Sequence, residues 1–160
     1  MGTLEEIEAI KRLKYRYLRS VDCKLWDELR ETFAPDATCA YGDGKHSFSG
    51  RDAIVKWLAE AMTGNLITLH QVHHPEIELT SPMRARGTWY LEDLVINPGP
   101  ARPAMPGHSI LRGSAFYHDE YVKLSGQWKI SLTGYERIFE AIEEGAASKL
   151  TLRSRWEKNA

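Results

Sequence analysis

The sequence predicts an α+β fold in which helices come first and an antiparallel sheet follows. Three observations carry this prediction. Helical spacing of apolar residues is confined to residues 4–62, and alternation typical of strands begins at about residue 66. The chain has 160 residues, the usual length of one domain. Because the two kinds of element are segregated along the chain, we expect a curved sheet wrapped around the helices as a cone with an internal pocket.

Three helices are predicted in the first part of the chain. The first covers residues 4–22, where apolar side chains recur every three or four positions. The second covers residues 24–33 and stops before Pro35, since a proline disfavours helix at the preceding residue. A short hairpin and a third helix follow, at Thr38–Tyr41 with Lys45–Ser49 and at residues 50–62.

Five strands are predicted in the rest of the chain, at residues 66–73, 76–80, 84–96, 110–124 and 127–138. Between the strands at residues 84–96 and 110–124 lies one long irregular segment, Asn97–Ser109, with four prolines and two glycines. A loop of that length in a small domain is typically functional or disordered, and we expect it to form a lid over the pocket.

The composition excludes several classes of function. Lys and Arg number 21 against 22 Asp and Glu, so no strong charge favours binding to nucleic acid or to an anionic membrane. No apolar run approaches the ~18–20 residues of a membrane span, and the start of the chain does not resemble a signal peptide. We therefore expect a cytoplasmic protein in which Cys23 and Cys39 are reduced thiols. Phosphate loops, nucleophile elbows and dinucleotide fingerprints are absent from the sequence.

The histidine-rich segment around His70, His73 and His74 is the first candidate for chemistry. A metal site is not favoured, because alternate strand residues face opposite sides and no further ligand spacing accompanies the cluster. His73 shares its predicted face with apolar residues on both sides, so we expect it to point inward. A histidine in that position is either a hydrogen-bonded core residue or a general acid or base.

Three further residues are candidates with structural alternatives. Tyr17 and Asp22 lie in the first helix but about 140° apart, so they converge only where the helix ends or bends. Tyr17 is otherwise a core aromatic residue, and Asp22 is otherwise the N-cap of the second helix. Arg137, in the last strand, is a solvated arginine or lines a polar part of the pocket.

Several segments together resemble the SnoaL-like proteins of the NTF2-like superfamily, most nearly the bacterial bile-acid 7α-dehydratases and more distantly scytalone dehydratase. The resemblance covers residues 4–140. It is carried by the opening helices and by five later stretches, namely His73–Ile77, Gly87–Asp93, Gly113–Tyr117, Gly126–Ile130 and Thr133–Ile138. The loop Asn97–Ser109 and the tail Ala146–Ala160 depart from the pattern.

The resemblance implies an α+β cone, a homo-oligomer (a trimer in these dehydratases) and a small hydrophobic cyclic substrate, with no cofactor or metal. It implies a catalytic set of Tyr17, Asp22, His73 and Arg137. In the expected elimination of water from a hydroxylated cyclic ketone, steroid-like or polyketide-like, Asp22 orients His73. His73 then moves the proton, Tyr17 donates to the substrate oxygen directly or through water, and Arg137 positions the substrate or stabilises negative charge. Two other classes stay open, which are a ketosteroid-isomerase-like enzyme and a non-catalytic ligand-binding or accessory module.

Overall fold

The computed structural model describes residues 2–62, 64–102 and 105–153, and its elements follow the predicted order. The helices are α1 (Thr3–Asp22), α2 (Trp26–Arg30) and α3 (Arg51–Ala61). The strands are β1 (Phe33–Tyr41), β2 (His46–Ser49), β3 (Ile67–Ser81), β4 (Arg84–Asn97), β5 (Ser109–Leu124) and β6 (Gln127–Glu143). A 3₁₀ helix at Ala146–Lys149 follows the last strand. The predicted α+β class is therefore confirmed.

Helix α1 begins where the sequence favours a helix N-terminus. The backbone N–H of Gly2 donates to the Glu5 carboxylate at 2.9 Å, and Glu6 adds a second acidic side chain in the first turn. Both carboxylates are stabilised by the positive end of the helix dipole. The inward face of the helix carries Ile10, Leu13, Lys14, Tyr17, Leu18 and Val21, all of them buried. One cation, Lys14, thus belongs to the face that packs on the sheet.

Helix α2 is shorter than predicted, and β1 begins earlier. The Thr32 hydroxyl donates to the carbonyl of Leu29 at 2.6 Å, and Phe33 already pairs with Ile130 of β6. The register of this pairing shifts between Phe33 and Thr38, and Pro35 lies inside the shifted stretch. A proline has no N–H to give to a ladder, so an interruption of the pairing accommodates it.

The six strands form one open sheet in the order β2-β1-β6-β5-β4-β3. Strands β1 and β6 run parallel, and the other neighbouring pairs run antiparallel. The helices cover one face, which we call the inner face, and the main core lies between them and that face. Its most deeply buried large residues are Ile10, Tyr17, Phe33, Trp89, Leu91, Tyr121 and Ile130.

A bulge in β3 overturns the expected orientation of His73. The two predicted strands at 66–73 and 76–80 form one strand, whose register with β4 shifts between His73 and Glu76. His74 carries a φ of +43°, a left-handed conformation that is uncommon for a residue with a side chain. Because the extra residue inverts the alternation, Thr68 and His70 face inward before the bulge, whereas Ile77 faces inward after it. The expectation that His73 points inward is wrong.

The segment between β4 and β5 is the predicted long loop, of which residues 103–104 lie outside the described residues. The 3₁₀ helix packs against it, since the backbone N–H of Ala147 donates to the carbonyl of His108 at 2.9 Å. Residues 154–160 of the predicted tail also lie outside the described part. Within that part, none of the helices has the length and apolar character that crossing a membrane requires.

Candidate active site

Asp22 and His70 form a hydrogen-bonded pair where the end of α1 meets β3. The Nδ1 atom of His70 lies 2.6 Å from Oδ1 of Asp22. Asp22 also accepts the Thr68 hydroxyl at 2.8 Å and the His70 backbone N–H at 2.9 Å. Three donors from one strand therefore fix the carboxylate, and the carboxylate fixes the imidazole. Asp22 does not cap α2, whose N-cap residue is Leu25.

This pairing determines which nitrogen of His70 is a base. A carboxylate accepts hydrogen bonds, so the Nδ1 atom of His70 carries the proton and the Nε2 atom holds the lone pair. The His70 side chain is 10% exposed and that of Asp22 16%. A partly buried histidine oriented by a carboxylate is the arrangement that serves as general base in many enzymes, because the carboxylate stabilises the imidazolium that forms.

Asp93 and Arg137 form a second pair beside the first. The two guanidinium nitrogens Nη1 and Nη2 donate to the two carboxylate oxygens at 2.7 and 2.8 Å. Asp93 is buried, and Arg137 also approaches Glu140 at 3.5 Å. Burial by itself would lower the pKa of Arg137, but the hydrogen bonds to Asp93 raise it overall. Arg137 is therefore a permanent cation at this point of the inner face.

The two pairs lie side by side because of strand register. His70 stands directly opposite Asp93, and Asp93 stands opposite Gly113. Directly opposed residues of an antiparallel pair have β-carbons about 4.5–5.5 Å apart, so the side chains of His70 and Asp93 are neighbours. Arg137 reaches Asp93 across the position of Gly113, where a β-carbon would lie only 2.7 Å from Asp93 Oδ1. Asp22, His70, Asp93 and Arg137 thus form one continuous row, which we call the polar row.

Apolar side chains border the polar row on both sides. Toward the core, the same face carries Val72, Leu91 and Ala115. On the other side, Thr68 pairs with Val95 and Val95 pairs with Leu111. A substrate in contact with this face therefore meets acid–base groups in a narrow line, with mostly apolar side chains on either side of it. Such a surface fits a mostly apolar molecule with a few polar substituents.

Tyr17 lies in a group of four phenols next to the polar row. Its hydroxyl is 2.9 Å from that of Tyr41, and its ring contacts the ring of Tyr117 edge-on at 6.3 Å. Tyr135 completes the group, with its ring 5.7 Å from that of Tyr117 and 4.9 Å from the Arg137 guanidinium carbon. Burial raises the pKa of the Tyr17, Tyr41 and Tyr117 hydroxyls well above its ordinary value. These phenols therefore stay protonated at neutral pH and act as hydrogen-bond donors.

The structure places His73 apart from the other three predicted site residues. Its side chain is 42% exposed, and its Nε2 atom lies 3.9 Å from the exposed carboxylate of Glu92. The expected pair between Asp22 and His73 is not formed, because the bulge at His74 gives the inward position to His70. Tyr17 and Arg137 lie in or beside the site, and Asp22 forms its carboxylate end.

Sequence reasoning missed His70, Thr68 and Asp93. For Asp93 a signal was present, since this acid interrupts an alternating inner row that otherwise contains Trp89, Leu91 and Val95. For His70 and Thr68 no local signal was present. Their orientation depends on a bulge, and the pattern of residues around His74 does not predict one.

Other parts of the described chain offer weaker sites. An open groove of about 640 Å³ is lined by outer-face residues such as Glu76, Arg86 and His118, away from the polar row. It brings no oriented base and buried cation together, so chemistry favours the polar row over this groove. Among the described residues, no group of three or more His, Cys, Asp or Glu side chains is arranged to hold a metal ion.

The chain is similar to known proteins over most of its length. A family model for the SnoaL-like domain matches residues 2–134. A scytalone dehydratase-like protein from Novosphingobium aromaticivorans has 24% sequence identity and a TM-score of 0.74, with 86% of this chain and 87% of that chain covered.

Two hexachlorocyclohexane dehydrochlorinases are similar to the same extent. A type 2 LinA has 21% identity and a TM-score of 0.75, with 89% and 91% of the two chains covered. The LinA type 3 protein of Novosphingobium barchaimii has 21% identity and a TM-score of 0.71, with 89% and 92% covered. At these identities the likeness establishes the fold, a helix-covered open sheet of the same family.

Proposed function

Because the chain belongs to the SnoaL-like domain family, we propose that it is a cofactor-independent lyase that eliminates water from a hydroxylated cyclic ketone. The observation that carries this proposal is the polar row, in which a histidine oriented by Asp22 lies beside a cation held by Asp93. This set supplies a base and a stabilising charge, which is what removal of a proton next to a carbonyl requires.

The proposed reaction needs only one base that also serves as an acid. His70 Nε2 takes the proton from the carbon next to the carbonyl, and the electrons of that C–H bond form an enolate. The enolate then expels the hydroxyl group from the neighbouring carbon as a C=C bond forms. The imidazolium returns its proton to the departing oxygen, so that the products are an unsaturated ketone and water. Asp22 stabilises the imidazolium between the two transfers.

Two further groups are assigned to the oxygen of the enolate. A protonated phenol at Tyr17, with Tyr41 as its hydrogen-bond partner, donates to the carbonyl oxygen as negative charge develops. Arg137 supplies a permanent positive charge from the opposite end of the polar row. The proposal therefore moves the role of base from His73 to His70 and keeps Tyr17, Asp22 and Arg137 in the roles that the resemblance implied.

The class of reaction is also supported by the proteins with the same fold. Their names describe a dehydratase and dehydrochlorinases, which are enzymes that eliminate a small molecule. The apolar borders of the polar row favour a cyclic hydrocarbon framework, for which steroid-like, bile-acid-like and polyketide-like ketones are the candidates.

The test is to incubate the pure protein with a panel of β-hydroxylated cyclic ketones and one chlorinated cyclohexane, and to follow mass and near-ultraviolet absorbance. Loss of one water with a new conjugated chromophore supports the proposal. Loss of hydrogen chloride alone would identify a dehydrochlorinase in place of a dehydratase. Unchanged mass with a changed spectrum would identify an isomerase, and unchanged ligands that bind tightly would identify a binding module.

A further inference from the structure

The loop between β4 and β5 is held in place by one buried amide. The Asn97 side chain donates to the carbonyl oxygens of Pro100 and Pro106 at 2.9 and 3.0 Å, and it accepts the Gly99 N–H at 3.1 Å. Asn97 is only 1% exposed. Both ends of the loop are therefore tied to a single side chain at the last residue of β4, and the loop has a defined shape.

Backbone contacts close the described part of this loop further. Arg102 and Met105 pair as an antiparallel bridge, with N–H···O distances of 2.8 and 3.1 Å in the two directions. The His108 N–H donates to the Gly99 carbonyl, and the 3₁₀ helix binds the His108 carbonyl through Ala147. These contacts hold Met105 in a fixed position relative to the sheet.

The Met105 side chain covers the apolar border of the polar row. It packs in a cluster with Leu66 and Leu111, against which Val95 and Met62 also pack. Val95 and Leu111 form the inner-face pair next to Asp93 and Gly113. Met105 therefore ends one side of the site, beside the residue pair that follows Asp93 and Gly113 on the inner face of β4 and β5.

Little apolar surface is left at this end of the site. The exposed fractions of Leu66, Met105 and Leu111 are 5%, 6% and 7%. Each side chain is buried by the others, so a large ring system has no room there unless Met105 is displaced.

We propose that Met105 is a specificity-determining residue that restricts the site to compact substrates of one or two fused rings. This inference rests on the proposed function, because it names the substrate range of that same site. Among the candidate frameworks it favours small polyketide-like ketones over four-ring steroids. Asn97 acts as the positioning residue, since its three hydrogen bonds keep Met105 over the apolar border.

The first test measures binding without reaction. Dissociation constants are measured by calorimetry for three ketones that carry no leaving group, namely cyclohexanone, 1-decalone and a saturated four-ring 3-oxosteroid. The native protein should prefer the one- or two-ring ketone. Met105→Ala should shift the preference toward the steroid by about tenfold or more, since even one methylene in a pocket changes discrimination by roughly 10- to 200-fold.

Two variants control for loss of structure, and a third tests the positioning role of Asn97. Met105→Leu keeps the side-chain volume and should keep the native preference. Met83→Ala removes the same side chain from the exposed turn before β4 and should also keep it. Asn97→Asp loses both N–H donors to the loop carbonyls and should relax the preference while Met105 is still present.

The turnover of the corresponding β-hydroxy ketones separates this inference from the proposed function. Elimination with a ring-size preference that is the same in Met105→Ala and Met83→Ala would overturn the role of Met105 and leave the lyase intact. Absence of elimination with a shifted binding preference would overturn the lyase and leave the role of Met105 intact. Tighter binding of the steroid than of the small ketones by the native protein would overturn the inference directly.

Discussion

At the residue scale, the polar row depends on a position without a side chain. Arg137 reaches Asp93 across Gly113, and both contacting atoms lie within 2.7 Å of the point where a β-carbon would stand. The bidentate pair in turn keeps Asp93 neutralised beside His70, so that the carboxylate does not attract the proton that His70 is meant to move. Gly113 therefore contributes by leaving room for the contact between Arg137 and Asp93.

Gly113→Ala should separate Arg137 from Asp93 and reduce kcat/KM by about a hundredfold, since displacement of a catalytic group by about 1 Å has an effect of that size. The measurement is steady-state turnover of the substrate identified by the ketone panel. Gly2→Ala is the matched control, because a β-carbon there meets no atom within 4 Å. Equal activity of the two variants would contradict a role for the Arg137–Asp93 pair.

Lys14 has a position that the helical pattern explains and a partner that the pattern does not reveal. It occupies the inner stripe of α1 and is fully buried, with its Nζ atom 2.7 Å from Asp119 Oδ2 and 3.4 Å from the Tyr117 ring centre. Asp119 also accepts the hydroxyls of Tyr121 and Thr133. The helical spacing of residues in α1 places Lys14 on the face that is otherwise mostly apolar. Its partner lies 105 residues later (119 − 14), so no local pattern could reveal the pair.

At the element scale, the long helices and strands with a regular apolar pattern were predicted most accurately from the sequence. Helix α1 and strands β4 to β6 were predicted closely because apolar side chains recur along one face of each at the spacing typical of its kind of element. The prediction failed at α2, where the parallel pairing of Phe33 with Ile130 begins the strand early, and at β3, where a bulge reverses the faces. Both failures come from contacts between distant segments, and the second one moved the proposed base from His73 to His70.

Helix α1 is also tied to the sheet at its start. Glu6 accepts from the Lys123 ammonium group and from the Trp128 indole N–H, both at 2.6 Å. These hydrogen bonds lower the pKa of Glu6 below its usual value of 4.5. A carboxyl group whose pKa is lower in the folded state stabilises the fold above about pH 4.5, and this contribution is lost as pH falls through the folded-state pKa.

Glu6→Gln should therefore lower the thermal midpoint at neutral pH and flatten its decline below pH 4.5. The measurement is the thermal unfolding midpoint from pH 3 to pH 7, followed by circular dichroism. Glu8→Gln is the control, since Glu8 pairs with exposed Arg12 on the solvent side of the same helix. If the thermal midpoints of the two variants and of the native protein fall in parallel with pH, the contacts of Glu6 with β5 and β6 do not stabilise the fold as argued.

At the scale of the whole molecule, the outer face of the sheet is apolar at its centre. Tyr90 and Phe116 stand opposite each other on β4 and β5 with ring centres 5.1 Å apart, and both are more than a third exposed. Phe139, which pairs with Ser114, is half exposed on the neighbouring strand. A patch of this kind is typical of a protein contact surface. It supports the homo-oligomer that the resemblance implied, for which a trimer is the proposal.

Phe116→Glu should convert the oligomer to monomers at micromolar concentration, because burying an unpaired carboxylate in an interface is unfavourable. The molar mass is measured by light scattering after size-exclusion chromatography. Leu4→Glu, at an exposed position on α1, should leave the mass unchanged. A monomeric native protein would refute the oligomer, and a Phe116→Glu variant of native mass would place the contact elsewhere.

The central claim is that His70, and not His73, is the base of an elimination reaction. The most direct measurement compares kcat/KM of His70→Ala and His73→Ala on the ketone that the native protein dehydrates, with circular dichroism to establish that both variants fold. We predict that His70→Ala loses about 10²–10⁴-fold in rate and that His73→Ala retains the native rate within about threefold. Full activity of His70→Ala, or a comparable loss in His73→Ala, would contradict the assignment.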